Sequence, residues 1–346
     1  MNNSKILITG GVGFVGSNLV LEILEKFNPK EIIIVDNLLS SETINLVDDP
    51  KITFILGSIS DDRVLIKLPI DIDYVFHLSC YHGNQSSIAN PLQDHENNTL
   101  TSLKLFDWIK NFKSIKKVVY AAAGCAVAEK KYGVVNATKE DAPISLYHDS
   151  PYSISKLIGE FYGNYYFKRY NLPFVKARFQ NIYGPREYLG AGQWRGTVNT
   201  IWRNVTPTFI WKSLHDEDLF LDNQGESSRD FIYVKDIVNG LILCALKGKE
   251  GEAYNLSSGV ETTIRELASS ILQITKSKSK IILGPKRDWD NSGNRFGDPS
   301  KSYNELNFKA KFSIEDGLKK TISWTYDKIE IIDKIMRKHN YFRNLG

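Results

Sequence analysis

Cysteine is scarce, and so is any long apolar run. Cys80, Cys125 and Cys244 are the three cysteines among 346 residues. Their odd number and wide separation fit neither a disulfide framework nor a zinc site, so a reducing cytoplasm is the expected setting and no metal is expected. Apolar stretches such as "EIIIVDNLL" fall far short of the roughly 18 residues of a membrane span, and no membrane insertion is expected. The first of them, "KILITGG", starts at Lys5 and leaves no room for an export signal. Concentrated basic blocks are missing too. The 44 basic and 40 acidic residues are scattered, with a net charge of +4, which argues against a nucleic-acid partner.

What the chain does have is a regular alternation. The β-branched runs "KILITG", "EIIIVD", "ITFIL", "DYVFHL", "KKVVYA" and "PFVKARF" are separated by helical stretches. That is the pattern of an α/β fold, a Rossmann-type doubly wound parallel sheet. After Asn181 the pattern becomes irregular. A loop "GPREYLGAGQWRGT" is followed by helical "TPTFIWKSL", a strand pair near "LFLDNQGESSRDFIYV", and helices near "KDIVNGLILCAL" and "TIRELASSILQIT". We expect a nucleotide-binding domain over residues 1–180 and a smaller C-terminal α/β substrate lobe over 181–346, with a segment near 229–247 returning to the first domain. Ligands of such sheets lie at the C-terminal strand ends.

"ITGGVGFVGSNLV" sets Gly10, Gly13 and Gly16 between the first strand and a helix opening near Phe14. The glycines permit a tight turn, approach of a pyrophosphate to the helix N-terminus, and close helix–strand packing. A glycine triplet alone is a weak signal. Here the second strand also ends on Asp36, at the distance from which a carboxylate reaches ribose hydroxyls. With no basic neighbour to hold a 2′-phosphate, Asp36 favours NAD over NADP.

"HDSPYSISKLIGEF" offers Ser150 as an N-cap, Pro151 at the first helical position, and Tyr152 and Lys156 one turn apart on one face. An ammonium near a phenol favours the phenolate, which suits Tyr152 to take a hydroxyl proton as hydride leaves.

With these residues the chain resembles the extended short-chain dehydrogenase/reductase family, the NAD-dependent sugar-nucleotide epimerases and dehydratases. Segments "TGGVGFVGS", "VDNL", "VFHLS", "SSIANPL", "PYSISK", "RFQNIYGPR", "SSRDFIYVKDI", "YNLSSG" and "IEDGLKKTISW" carry the resemblance over nearly the whole length. It implies a nucleotide sugar as substrate, NAD retained through catalysis, and oxidation of a ring hydroxyl, usually at C4, by Tyr152 with Lys156 in support. It extends the cofactor site to Phe14, Val15, Asn37, Ser58, Ile59 and Leu78, with Lys156 also a ribose ligand. Asn181, Arg229 and Arg295 are implied as nucleotide-sugar contacts, the arginines near the diphosphate; surface ion pairs are the alternative for both arginines. A homodimer through helices near residues 98–112 and 152–170 is implied as well. The aromatics Phe161, Tyr162, Tyr165 and Tyr166 suit such a contact or, equally, the core.

The chain departs from the family at "YAAAGCAVAE", where Ala123 stands at the usual Ser/Thr position. Gly124 and Cys125 follow where 4,6-dehydratases carry an acid/base pair, which argues against dehydration. A cysteine there resembles the GDP-mannose 3,5-epimerases. A thiol of pKa about 8.5 can move a proton beside a ketone, and a small buried cysteine explains the residue equally. What is usual in the family the chain resembles makes inversion at C4 the leading reading, with a UDP-linked uronic acid or amino sugar as the candidate substrate. C5 inversion using Cys125 is the alternative, and a non-catalytic NAD-binding protein the reading of another class. His82 in "SCYHGNQ" is a candidate for substrate contact or a solvent-facing loop histidine. Arg186, Trp194 and Arg195 in "REYLGAGQWRGT" suit an anionic, ring-shaped ligand by charge and stacking, as they would a loop closing on the diphosphate.

Overall fold

The computed structural model describes residues 1–127, 133–288, 290 and 293–340, the Cys125 side chain excepted. Each of the six runs forms a strand: β1 (Lys5–Thr9), β2 (Glu31–Asp36), β3 (Ile52–Leu56), β4 (Tyr74–His77), β5 (Lys117–Ala123) and β6 (Phe174–Phe179). Further strands are β7 (Asn181–Tyr183), β8 (Leu219–Leu221), β9 (Ser228–Tyr233), β10 (Ala253–Leu256), β11 (Glu261–Thr263) and β12 (Ile281–Leu283). The large sheet is parallel and seven-stranded, in the order β10-β6-β5-β4-β1-β2-β3. Ile8 of β1 faces Ile34 on one side and Phe76 on the other, and all three are fully buried. Helices covering both faces of a parallel sheet require such continuous apolar strands. Strand order reverses between β1 and β4, so a crevice opens beyond their C-terminal ends.

Helix Val234–Lys247 lies against this sheet, with Ile237, Leu241 and Cys244 in one core with Ile6, Ile8, Val20 and Ile23. Beside the large sheet stand a three-stranded sheet, β11-β9-β7, and a two-stranded one, β12-β8. A strand pair expected within residues 219–234 is not formed, since β8 and β9 belong to different sheets. Between them the turn Asp222–Gly225, with Asn223 (φ 51°) and Gln224 (φ 55°) in the left-handed region, redirects the chain. Helices Val205–Leu214, Ile264–Thr275 and Ile314–Asp327 close over the small sheets around Tyr183, Ile210, Leu221 and Leu267. No described helix is long and apolar enough to cross a membrane, and no cluster that could hold a metal occurs among the described residues.

Candidate active site

The glycine turn is built as its sequence requires. Gly10 leaves β1 at φ +73°, where a Cβ would strike the Ser79 backbone, and a Cβ on Gly16 would collide with the Gly10 carbonyl. Gly13 caps helix Phe14–Lys26 without any side-chain acceptor. The free N–H groups of that first turn, from Phe14 and Val15 onward, are what an anion needs. Asp36 is anchored by N–H donors of Val12 (3.0 Å) and Leu38 (2.9 Å) and by the Ser41 hydroxyl (2.9 Å). Burial raises its pKa and these hydrogen bonds offset the rise. Asn37, Ser58, Ile59 and Leu78 line the same crevice.

Helix Pro151–Tyr170 begins as expected, with Ser150 Oγ accepting from the Ser153 N–H. Lys156 is buried, donates to the Ala121 carbonyl at 2.9 Å, and places its Nζ 5.8 Å from the Tyr152 ring centroid. Tyr152 packs on Ala123, Ala126, Val127 and Leu157, so the wall beside it is carbon where a hydroxyl was expected in the family. The Cys125 side chain lies outside the described residues.

The loop of residues 78–83 lines the crevice next to Tyr152. The His82 ring stands edge-on to that of Tyr152 at 5.9 Å. Burial, then Arg195, Arg203 and Lys156, hold His82 down to about 3, so its imidazole is neutral at neutral pH. Asn98, which the sequence reading did not single out, ties this loop to helix Pro151–Tyr170. Its Oδ1 accepts from the Tyr81 N–H at 2.7 Å and its Nδ2 donates to Ser155 Oγ at 3.2 Å. Only the run "ENNT" hinted at it. Gln180 was likewise missed. A Cβ on Gly124 or Gly297 would collide with its amide, and it lines the crevice beside Ala123.

At the far end Asn181, Arg229 and Arg295 line the crevice. Asp230 fixes them: its buried carboxylate accepts from the N–H groups of Ser258, Gly259 and Gly297, joining the loop of Arg295 to β9. The loop after β7 departs from expectation. Arg186, at φ 74°, also lines the crevice, but its Nε donates to Ser17 Oγ at 3.0 Å and its Nη2 to the Asn45 carbonyl, both on the nucleotide-binding side. Trp194 does not line the crevice. Gly192 (φ +85°) and Gly196 (φ +81°) turn the loop so that its ring packs with Tyr188, Ile332 and Met336, 6.0 Å from His339. Arg195 points the other way and lines the crevice with Glu187 and Arg203, two residues sequence reasoning missed.

The crevice encloses about 560 Å³, within the range of small-molecule sites. One family model, the NAD dependent epimerase/dehydratase family, matches residues 6–257. The chain belongs to this family. It is 51% identical to the Bordetella bronchiseptica enzyme WbmF, whose structure with NAD⁺ and UDP covers 100% of this chain and 98% of its own at a TM-score of 0.90. UDP-glucose 4-epimerase of Thermotoga maritima with UDP-glucose is 28% identical, covering 94% and 99%, at a TM-score of 0.82. The UDP-N-acetyl-alpha-D-glucosaminuronate decarboxylase of Bacillus cytotoxicus is 30% identical over 92% of this chain and 97% of its own. NAD is the family's cofactor, and the residues here fit it: a glycine cradle that any Cβ would fill, a helix N-terminus for its diphosphate, and Asp36 for a ribose.

One buried group beneath the site sets an acid limit. His77 lies between Thr9 Oγ1 (2.7 Å) and Ser102 Oγ (3.0 Å), and burial holds it at about 3 against an ordinary 6.5. The unfolded chain therefore binds the extra proton first, and stability present above the ordinary value is lost as pH falls towards the folded one. His77 alone removes about 2 kcal/mol between pH 7 and about pH 5. In urea titrations at both pH values, His77→Gln is expected to flatten the loss by that amount.

Proposed function

We propose that the protein is an epimerase that inverts C4 of a nucleotide-linked hexose through a transient 4-keto sugar. The observation that carries the reading is Tyr152 with the Lys156 ammonium beside it, both lining the crevice. The ammonium favours the phenolate, which takes the proton of the C4 hydroxyl as the carbon loses hydride. Bound NAD supplies the acceptor and later the donor of that hydride. Tyr152 gives its proton back to the C4 oxygen once the ketone has presented its other face. Lys156 holds the ribose. In place of the absent Ser/Thr hydroxyl, the Gln180 amide beside Ala123 offers both a donor and an acceptor.

Dehydration lacks its acid/base pair, because Gly124 has no side chain to give. The UDP in the WbmF structure and the UDP-glucose in the Thermotoga structure support UDP as the nucleotide. Precursor synthesis for surface polysaccharide, in the cytoplasm, is the setting we propose. Incubation with NAD and a panel of UDP-sugars, read by NMR, tests the reading: a product differing only at C4 is expected. A 4-keto-6-deoxy sugar or a pentose product would sink it.

We further propose a homodimer. Ile154, Phe161 and Tyr165 are 45%, 54% and 53% exposed and recur at i, i+7 and i+11 along one helix face. Tyr166, by contrast, is buried with its hydroxyl on Asp107. Phe161→Glu combined with Tyr165→Glu is expected to convert the dimer to a monomer in analytical ultracentrifugation; an unchanged sedimentation coefficient refutes this face.

A further inference from the structure

We propose that the crevice recognises a carboxylate on the sugar ring and that Arg195 is the residue that binds it. The proposal rests on the epimerase reading above for the identity of the ligand as a nucleotide sugar. Arg195 is 3% exposed. Its Nη1 donates to the His82 carbonyl at 2.7 Å and to Ser40 Oγ at 3.3 Å, and its guanidinium lies 5.5 Å from the Tyr81 ring centroid. Those contacts fix the plane of the group. Nε and Nη2 are both buried and have no hydrogen-bond partner. These two nitrogens form one edge of the guanidinium, the edge whose parallel N–H bonds match the two oxygens of a carboxylate. A desolvated cationic edge is costly when nothing pairs with it.

The surroundings call for an anion as well. Arg203 lines the crevice beside Arg195, and burial together with Arg195 pushes it down to about 9. Opposing Arg203 are Glu42 and Glu187, the latter pushed up by burial to about 7 despite the Asn204 hydrogen bond and the attraction of Arg203. Carboxyl groups thus act on Arg203, one of them ionising reluctantly, while the groups acting on Arg195 are Tyr81 and Cys80. The phosphates of both ligands have donors elsewhere: the cofactor's at the start of helix Phe14–Lys26, the substrate's near Arg229 and Arg295. Arg195 is instead held by the carbonyl of His82, the residue whose ring meets Tyr152. The free edge is thus left for a group on the sugar. A neutral hexose would leave it unpaired, and a free amino sugar would be repelled.

The test measures calorimetric binding of UDP-glucuronic acid and UDP-glucose to the full chain loaded with NAD, together with NAD affinity and turnover. The wild type is expected to favour the uronate by about 30-fold or more, the scale of a buried charge pair. Arg195→Gln should bring the two affinities within about threefold while NAD binding stays unchanged. Should the glutamine variant fail to fold, Arg195→Lys keeps the charge without the two-pronged edge and should lose most of the preference. Equal affinities in the wild type, or a preference that survives in the variants, overturn the proposal. So does a parallel fall in NAD affinity, which would assign the edge to a cofactor phosphate. Absence of any epimer with either sugar counts against the C4 reading alone, since binding is measured independently of turnover.

Discussion

Tyr152→Phe is expected to abolish epimerisation while NAD still binds with wild-type affinity. Its ring is retained, so the packing on Ala123, Ala126, Val127 and Leu157 survives, as does the contact of the Lys156 ammonium with the ring face. What disappears is the single oxygen able to take the C4 proton. General acid–base catalysis is worth about 10²–10⁴-fold, and neither of these described neighbours replaces it: His82, at about 3, is not an imidazolium at neutral pH and is a weak base, while Ala123 offers only carbon. Steady-state kinetics with calorimetric NAD titration checks both halves. A variant retaining more than about a tenth of the activity would remove Tyr152 from the chemistry.

Gly16→Val is expected to remove NAD binding outright and to lower stability. The new Cβ has no free direction, because the Gly10 carbonyl and the Gly11 backbone already fill its place. Both are backbone, so relief requires the glycine turn to open, and that displaces the helix N-terminus from the cofactor diphosphate. Overpacking of this kind costs about 1–3 kcal/mol. Thermal melts with and without added NAD separate the effects. The wild type should melt higher when NAD is added, by mass action, and the variant should melt low and not respond. A variant stabilised by NAD as strongly as the wild type would contradict the assignment of this turn.

Five of the six legible strands of the large sheet are apolar runs buried on both faces, from Ile6–Ile8 to Phe174–Ala177, while the edge strand β3, only partly buried, was legible from its run "ITFIL" alone. The seventh, β10, was not. "AYNL" is too short to show a period, and only its pairing with β6 makes it a strand of this sheet. The glycine turn, Asp36, Tyr152 and Lys156 could be read from spacing because each depends on local geometry, a turn or one helix face. The loop after β7 could not. Nothing in "REYLGAGQWRGT" tells which of Arg186, Trp194 and Arg195 line the crevice; the positive φ of Gly192 and Gly196 turns the chain so that Trp194 packs away from it and Arg195 faces it. Arg203, Glu187, Asn98 and Gln180 gain their meaning only from partners far away in the chain. Asn98, for instance, meets Ser155 across 57 residues.

The most direct test of the 4-keto mechanism with return of hydride to C4 is epimerisation in heavy water, starting from a UDP-sugar labelled with deuterium at C4 and followed by NMR of the product ring. Retention of the label at C4, with no solvent deuterium anywhere on the ring, is the predicted result. Solvent deuterium at C5 would contradict it, and would move the inversion to C5 and the proton transfer to Cys125.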